Sequence, residues 1–219
     1  MKIAALFSGG KDSVYSLYLS QSAGMEVEYL VTAYAQRDSY MYHVPAIVLS
    51  ELSARALGIA QVKFKVTEED EITPLKDALA GLEIDGVCCG AVASNYQRNR
   101  VVKVCDELGL DPVLPLWHKD PVFLLYQMVD LGFEILIVGV AAMGLDENWL
   151  GRVLDRKSLD ELMEVCKKNR MHPMGEGGEY ETTVLSGPNM QGQIEVEFEK
   201  KWFGDSGELE IVDARLTHP

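Results

Sequence analysis

The sequence predicts an α/β fold in which a parallel sheet carries helices on both faces and is followed by a smaller C-terminal α+β domain. Short apolar runs alternate with helical patterns through roughly the first 140 residues, as in sheets whose parallel strands are joined by helices. Beyond residue 145 the chain becomes rich in glycine and ends in two strand-like runs. We therefore expect one domain over residues 1–144 and a second over residues 145–219.

Each predicted element follows from a local pattern. Apolar runs predict strands at residues 2–7, 26–34, 61–66, 85–92, 112–116 and 134–141. Periodic apolar residues and capping signals predict helices that follow residues 10 and 67 and that span residues 45–57, 94–108, 120–131 and 158–168. Two more strands, at residues 193–198 and 209–216, flank a glycine-containing turn and predict a hairpin.

The carboxyl ends of the parallel strands predict where a ligand binds. In an open parallel sheet, ligands occupy the crevice beyond those ends. The loops expected there are residues 8–13, 35–43, 93–100 and 143–150, with Trp117 nearby. Trp117 is equally compatible with core packing and with the wall of a pocket.

Charge and hydropathy narrow the possible partners. The 219-residue chain has a formal net charge of −14 and contains no apolar run of membrane-spanning length. A protein that binds nucleic acid through phosphate contacts is expected to carry basic surface, so we expect no direct nucleic-acid binding. The first strand begins at once, which leaves no room for a signal peptide. We expect a soluble cytoplasmic protein without membrane contact, and homo-oligomer formation stays open.

The cysteines indicate packing and not metal or redox chemistry. The sequence contains Cys88, Cys89, Cys105 and Cys166, and none of them forms a C-x-x-C pair. Zinc and iron–sulfur sites usually need such spacing. We expect Cys88 and Cys89, which lie in an apolar run, to be buried as small hydrophobic residues.

The segment between the first strand and the first helix has the composition of a phosphate-binding turn. Its two glycines allow positive φ and a close approach of the backbone. The free N–H groups and the dipole of the following helix favour an anion. Hydroxyl groups and one ammonium group complete the segment, whose residues are Ser8, Gly9, Gly10, Lys11, Asp12 and Ser13. It has the spacing of neither a Walker A motif nor a dinucleotide fingerprint.

A second unusual segment, called the acidic segment below, covers residues 175–182. It combines glycines, carboxylates and one tyrosine, and its residues are Gly175, Glu176, Gly177, Gly178, Glu179, Tyr180, Glu181 and Thr182. Such a segment could position an amine or ammonium, hold Mg²⁺ or accept a proton. The alternative is an exposed acidic loop that leads into a strand.

The helix expected after residue 94 begins with an unusual polar run that includes Asn95 and Tyr96. Ser94 is explained as its N-cap. Arg98 and Arg100 are not explained in this way, because cations are unfavourable near a helix N-terminus, and they indicate an anion nearby.

The loop expected before the second helix, residues 35–43, contains Tyr40 and His43. Each of these two side chains is either polar surface or part of a substrate site.

The phosphate-binding turn resembles the S-G-G-x-D-S signature of the PP-loop ATP pyrophosphatases, which have a Rossmann-like fold and cleave ATP to AMP and pyrophosphate. Residues 8–13 are called the PP-loop below. Nearly the whole chain is similar to one family within that superfamily, the diphthine–ammonia ligases, in their compact archaeal-type form. The motifs that carry this resemblance are residues 8–13, 39–43, 90–100, 114–117, 140–145 and 175–182.

The resemblance implies the last step of diphthamide synthesis, in which ATP adenylylates the carboxylate of diphthine on translation elongation factor 2 and ammonia displaces AMP. It also implies residue roles. The PP-loop would hold the phosphates of ATP, with Lys11 and Asp12 catalytic and Asp12 orienting the loop or a bridging Mg²⁺ ion. Arg98 and Arg100 would face phosphate or the diphthine carboxylate.

Further roles concern the ammonium ion and the trimethylammonium group of diphthine. Glu176, Glu179 and Glu181 would bind ammonium or accept its proton, with Glu176 and Glu179 as catalytic residues and Glu181 as a substrate-binding residue. A tyrosine could face the trimethylammonium group by cation–π attraction. The other substrate-binding candidates are Tyr40, His43, Asn95, Tyr96, Gly177, Gly178 and Tyr180.

Two alternative functions remain open from the residues. One is another PP-loop enzyme that acts on tRNA or on a small molecule; the acidic charge balance and the missing cysteine pairs count against it. The other is a module that senses ATP without turning it over.

Overall fold

The computed structural model describes residues 1–35, 46–67 and 70–217. The strands are β1 (Lys2–Leu6), β2 (Glu26–Ala35), β3 (Ala60–Val66), β4 (Gly86–Cys88), β5 (Asp111–Val113), β6 (Glu134–Val140), β7 (Tyr180–Ser186), β8 (Gln193–Trp202) and β9 (Gly207–Thr217). The helices are α1 (Lys11–Ser22), α2 (Ala46–Leu57), α3 (Ile72–Ala80), α4 (Asn95–Leu108), α5 (Pro121–Asp130) and α6 (Arg156–Asn169).

The first five strands form one parallel sheet in the order β3-β2-β1-β4-β5. The chain builds outward from β1 to β3, then crosses back to place β4 on the other side of β1. The strand order therefore reverses between β1 and β4. Loops that leave two such strands diverge and open a crevice for ligands. Here the two loops are the PP-loop, which follows β1, and the turn before α4, which follows β4.

Helices cover both faces of this sheet, as the sequence predicts. Neighbouring residues of a strand point to opposite faces. Ala4 and Val87 belong to a buried cluster that includes leucines of α3 and valines of α4. Ile3 and Cys88 belong to the larger cluster on the other face, with residues of α1 and α2. That second cluster continues into the C-terminal part of the chain.

The prediction for residues 134–141 is wrong about the sheet to which the strand belongs. The strand β6 forms at the predicted place, but it pairs antiparallel with β7 and β9 in a second sheet of order β7-β6-β9-β8. An inner strand of either sheet is apolar along its length, so its composition does not reveal its partners. Because β6 belongs to the second sheet, we propose a domain boundary earlier than residue 144.

The rest of the C-terminal part has the predicted α+β character. The strands β8 and β9 form the expected hairpin. The helix α6 begins at Arg156, because Asp155, its N-cap, forms a reciprocal capping box with Ser158 in its first turn. The acidic segment leads into a strand, as one of its two interpretations proposes, and residues 180–186 form the edge strand β7.

Two expectations drawn from composition can be compared with the described residues. The four cysteines are buried, and in the described part of the chain they are free thiols. Among the helices of that part, none is long and apolar enough to cross a membrane.

Candidate nucleotide and substrate site

The PP-loop forms the predicted strand–turn–helix. Gly9 has φ +83°, a conformation that strains any residue with a Cβ atom. Gly10 is the N-cap of α1 in an extended conformation, and the helix begins at Lys11. The amide groups of the first helical turn have no preceding carbonyl as partner. Apart from the Lys11 N–H, which donates to Thr182 Oγ1, they therefore provide donors for an anion at the carboxyl end of β1.

The two serines order the PP-loop from within. The hydroxyl groups of Ser8 and Ser13 lie 3.3 Å apart. Ser13 Oγ donates to the Gly10 carbonyl at 2.9 Å, and the Gly10 N–H donates to Ser8 Oγ at 3.3 Å. The loop thus holds its shape through its own short-range bonds.

The loop that follows β4 packs closely against the start of α1. A Cβ atom added to Gly90 would lie 2.7 Å from the backbone carbon and oxygen of Asp12 and 3.0 Å from the Ser13 nitrogen. Only glycine permits this approach. The contact joins the two loops that flank the reversal of strand order, which brings the PP-loop beside the first turn of α4.

The strand β7 closes the other side of the PP-loop. The Val184 N–H donates to the Gly9 carbonyl at 3.0 Å. The Lys11 N–H donates to Thr182 Oγ1 at 3.3 Å, and the Thr182 carbonyl oxygen would lie 3.2 Å from a Cβ atom on Gly10. The C-terminal part of the chain therefore forms one wall of the PP-loop. Sequence reasoning did not predict this role for Thr182.

Lys11 points into the seam between the PP-loop and the acidic segment. Its side chain is only 3% exposed. The ammonium group donates to the Met174 carbonyl at 2.6 Å and to Asp12 Oδ2 at 3.0 Å. It also lies 4.9 Å from the centroid of the Tyr180 ring.

Asp12 carries a buried oxygen with unused bonding capacity. Its Oδ1 has no hydrogen-bond partner among the described residues. Burial raises the pKa of Asp12, and the neighbouring Lys11 ammonium opposes that rise. An unpartnered carboxylate oxygen suits a hard cation such as Mg²⁺. No cluster of three or more metal-ligating side chains occurs in the described part of the chain, so phosphates and water would supply the other ligands.

Glu176 connects the acidic segment to the turn before α4. Its carboxylate accepts three consecutive backbone N–H groups, from Val92 at 3.3 Å, Ala93 at 3.2 Å and Ser94 at 2.8 Å. Successive amides that point inward form a nest for an anion, and the helix N-terminus adds to its positive potential. Here a carboxylate of the protein itself occupies the nest.

Glu179 is bonded to the backbone of its own segment. Its carboxylate accepts the Gly177 N–H at 2.7 Å and the His172 N–H at 3.0 Å. Burial raises the pKa of Glu179, but these backbone bonds outweigh burial and lower the pKa overall. Gly178 has φ +81°, which allows the tight turn between these groups. Glu179 is therefore ionised at neutral pH.

Tyr180 and Glu181 occupy opposite faces of β7. Tyr180 is 2% exposed, its hydroxyl group donates to the Pro173 carbonyl at 2.5 Å, and burial raises its pKa well above the usual value. Its ring already contacts Lys11, so the position of Tyr180 does not favour a contact with substrate. Glu181 is exposed, and its side chain lies beside Gly139.

The helix α4 begins as predicted, with Ser94 Oγ accepting the Gln97 N–H at 3.3 Å. Arg98 lies with its guanidinium 5.4 Å from the centroid of the Trp117 ring. Among the described residues Arg98 has no ion-pair partner, and it remains a candidate for binding an anion. Trp117 therefore supports a cation and is not simply core packing.

Arg100 is explained by contacts within the protein. Its guanidinium forms an ion pair with Glu71 and lies 4.0 Å from the centroid of the Tyr96 ring. Asn95 and Tyr96 are exposed, and 64% of Tyr96 is accessible. Tyr96 therefore has surface available to a substrate. The predicted site residues Tyr40 and His43 lie outside the described residues.

His172 and Met174 are site residues that the sequence analysis missed. They immediately precede the acidic segment, and the Met174 N–H donates to His172 Nδ1 at 3.3 Å. His172 also lies close enough to Asp12 to act on the pKa of that carboxyl, which it lowers. Neither residue belongs to a pattern that sequence reasoning associates with nucleotide or substrate binding.

A parallel sheet with a glycine–serine phosphate loop at its reversal of strand order defines an α/β nucleotide-binding protein of the PP-loop type. Two family models identify the family more closely. The diphthamide synthase N-terminal domain matches residues 1–112, and the diphthamide synthase C-terminal domain matches residues 120–217. The chain belongs to the diphthamide synthase family.

Several proteins that are similar in sequence to this chain are named diphthine–ammonia ligases. A diphthine–ammonia ligase of Homo sapiens is 34% identical over 245 residues, covering 100% of this chain and 88% of the human protein. The diphthine–ammonia ligase of Danio rerio is 34% identical and covers 89% of this chain and 86% of its own. That of Schizosaccharomyces pombe is 35% identical over 89% of this chain but only 36% of its own length.

A solved structure from Methanocaldococcus jannaschii, described as a predicted subunit of tRNA methyltransferase, is 17% identical and aligns with a TM-score of 0.47. The alignment covers 86% of this chain and 98% of that one. This likeness adds no argument to the fold described above.

Proposed function

We propose that this protein is a diphthine–ammonia ligase, which uses ATP to convert the carboxylate of diphthine on translation elongation factor 2 into the amide of diphthamide. One observation carries the proposal: the PP-loop and the acidic segment are in direct contact, through the Lys11 N–H bond to Thr182. They do so in a chain that is 34% identical along its whole length to a diphthine–ammonia ligase. A nucleotide and an amide-forming site would share this seam.

The reaction consists of two displacements. A carboxylate oxygen of diphthine attacks the α-phosphorus of ATP, the bond between the α- and β-phosphates breaks, and pyrophosphate leaves. The nitrogen of neutral ammonia then attacks the carbonyl carbon, the bond to AMP breaks with its electron pair on AMP, and the nitrogen loses one proton to a carboxylate or to water to give the neutral amide. Activation is needed because oxide is a poor leaving group whereas AMP is a good one. Donors and cations must stabilise the charge that develops.

The PP-loop is suited to the phosphates of ATP. Its first-turn amides and the hydroxyl groups of Ser8 and Ser13 lie together at the carboxyl end of β1. Such an arrangement binds phosphate through hydrogen bonds and the helix dipole. Arg98, which has no ion-pair partner among the described residues, is the cation that could meet a phosphate or the diphthine carboxylate from α4.

Asp12 is the residue that fits Mg²⁺. Asp12 is part of the PP-loop, where a bound nucleotide would bring its phosphates, and its Oδ1 is buried there without a hydrogen-bond partner among the described residues. Mg²⁺ is commonly held by one or two carboxylates together with phosphate oxygens and water. When bound, the ion would neutralise charge on the departing pyrophosphate.

Glu179 is the carboxylate best suited to attract ammonium. An ionised carboxylate offers about four acceptor positions. Glu176 uses its oxygens for three backbone N–H groups, whereas Glu179 accepts two and keeps more capacity. Glu181 lies on the face of β7 opposite Tyr180 and Thr182. We therefore propose that Glu176 orients the segment and that Glu179 meets the ammonium ion.

The proposed partner is the modified elongation factor, and the proposed location is the cytoplasm, where that factor acts in translation. The net charge of −14 suits a basic partner surface. Exposed Tyr96 could face the trimethylammonium group of diphthine, a contact worth about 0.5–2 kcal/mol.

The test is the release of AMP and pyrophosphate from ATP and Mg²⁺ in the presence of ammonium, with and without diphthine-bearing elongation factor 2. We expect AMP formation that requires the factor, together with the mass change from acid to amide on the factor. AMP formed without the factor would mean another substrate. Binding of ATP without any AMP would favour an ATP-sensing module.

A further inference from the structure

The position of Lys11 differs from that expected of a phosphate ligand. A lysine that binds phosphate presents its ammonium group above the loop, where the ligand lies. The Lys11 ammonium group instead contacts the Met174 carbonyl in the seam with the C-terminal part, and the side chain is 3% exposed. Removing this ammonium group from its present contacts would require several bonds to break at once.

The donors of the Lys11 ammonium group are already used. Such a group has three N–H donors. One donates to the Met174 carbonyl at 2.6 Å and another to Asp12 Oδ2 at 3.0 Å. The Tyr180 ring, at 4.9 Å, takes up the remaining side at a distance typical of cation–π contacts. This arrangement leaves no donor for a phosphate.

The partners of Lys11 lie at the two ends of one loop. Met174 directly precedes Gly175, and Tyr180 follows Glu179 at the start of β7. The Tyr180 hydroxyl group donates to the Pro173 carbonyl and closes the loop at its base. The side chain of Lys11, the first residue of α1, thus joins both ends of the loop at residues 175–179 to the PP-loop.

We propose that Lys11 is a positioning residue that clamps the base of the acidic segment onto the PP-loop and does not bind phosphate. The clamp fixes the position of Glu179 relative to the nucleotide. The first turn of α1 would bind the phosphates, and Lys11 in that same turn holds the two ends of the loop that carries Glu179. The catalytic consequence rests on the proposed ligase function, whereas the structural consequence does not. A phosphate ligand and a clamp predict different responses to the loss of the ammonium group.

The test uses the full-length Lys11→Met variant, which keeps an unbranched apolar side chain of similar length. We expect the amides of Gly175 and Gly178, which are bonded within the loop, to exchange hydrogen about tenfold faster or more. We expect the KM for ATP to stay within about twofold while the kcat of amide formation falls at least tenfold. The matched control is Lys76→Met on α3, which removes an exposed ion pair with Glu107 on α4 and should change none of these three quantities.

Two further variants separate the two roles. Tyr180→Phe removes the bond to Pro173 without touching the PP-loop, and it should also speed exchange in the loop, so it keeps the proposal testable if Lys11→Met does not fold. Ser8→Ala serves as the phosphate-site reference and should raise the KM for ATP without faster exchange at Gly175.

One pattern overturns the clamp: Lys11→Met behaving like Ser8→Ala, with a raised KM for ATP and unchanged exchange. Wild-type protein that forms no amide on diphthine would instead refute the proposed ligase function. In that case the exchange measurements would still decide whether Lys11 clamps the loop.

Discussion

The PP-loop and the acidic segment meet at one seam but hold their shapes by different means. The PP-loop has a set of bonds among its own residues, such as the Ser13 hydroxyl bond to the Gly10 carbonyl, in addition to its bonds to β7. The acidic segment depends on groups from distant parts of the chain: the amides of residues 92–94 hold Glu176, and Lys11 holds Met174. The internal bonds of the PP-loop can thus form locally, whereas the wall that β7 adds to it and the placement of the acidic segment need the assembled fold.

The largest effect on stability is expected from a substitution where the loop after β1 contacts the loop after β4. Gly90→Ala would place a Cβ atom 2.7 Å from the Asp12 backbone, so the start of α1 must shift. Overpacking of this kind costs about 1–3 kcal/mol of unfolding free energy. We expect a lower urea midpoint and a raised KM for ATP. In Gly81→Ala, the control, the added atom meets nothing within 4 Å, so neither value should change; an unchanged Gly90→Ala would show that the contact is dispensable.

A smaller effect is expected from Glu176→Ala, which leaves three backbone N–H groups without their carboxylate. Because the site is only partly buried, water can replace part of the loss, and we expect a cost of about 1–2 kcal/mol. Amide formation should fall while the KM for ATP is unchanged, since the PP-loop is ordered separately. Urea unfolding and steady-state kinetics would measure both, with exposed Glu164→Ala on α6 as control. A loss of activity with no loss of stability would return Glu176 to a direct role with ammonium.

The smallest effect is a pH dependence of stability at Glu179. Its pKa in the folded protein is lowered from the ordinary value of 4.5. A depressed carboxyl pKa stabilises the fold above that value, and the contribution is lost as pH falls through the folded pKa. Glu179→Gln should therefore be less stable than wild type at pH 7, and the gap should close below about pH 4.5. Urea midpoints at a series of pH values would reveal the closing gap.

The pH dependence of stability at Asp12 should have the opposite sign to that at Glu179, which sharpens the contrast between the PP-loop and the acidic segment. Its pKa is raised by burial, so its ionised form costs stability at pH 7, and the cost disappears as pH falls. Asp12→Asn should be at least as stable as wild type at pH 7 while losing AMP formation. Equal pH profiles for the Asp12 and Glu179 variants would contradict the different environments of these carboxylates.

Several features of the site were predictable because they depend on neighbours in sequence. The strand, glycine turn and helix at residues 8–13 follow from local periodicity and from the freedom of glycine. Ser94 caps α4 as predicted, since an N-cap bond spans only three residues. The two-sheet division was harder to predict, because an apolar strand such as β6 carries no record of its partners.

The roles of charged side chains were the least predictable. Arg100 indicated a bound anion from its place in the sequence, yet Glu71, 29 residues earlier, forms an ion pair with it. Glu176 suggested ammonia chemistry, yet its carboxylate accepts hydrogen bonds from backbone N–H groups more than 80 residues away. Long side chains reach partners that only the folded chain brings near.

The sequence alone determined the α/β class, the position of the phosphate loop, the acidic segment and the resemblance that the family models match. These depend on the periodicity of apolar residues and on the backbone freedom of glycine, both of which act over a few residues. Only the tertiary structure decided that β6 joins the second sheet, that Thr182 lines the PP-loop and that the Lys11 ammonium group contacts Met174 and Tyr180. Those outcomes depend on which distant groups bond to each buried donor and charge. A buried donor or charge without a partner would lower the stability of the fold.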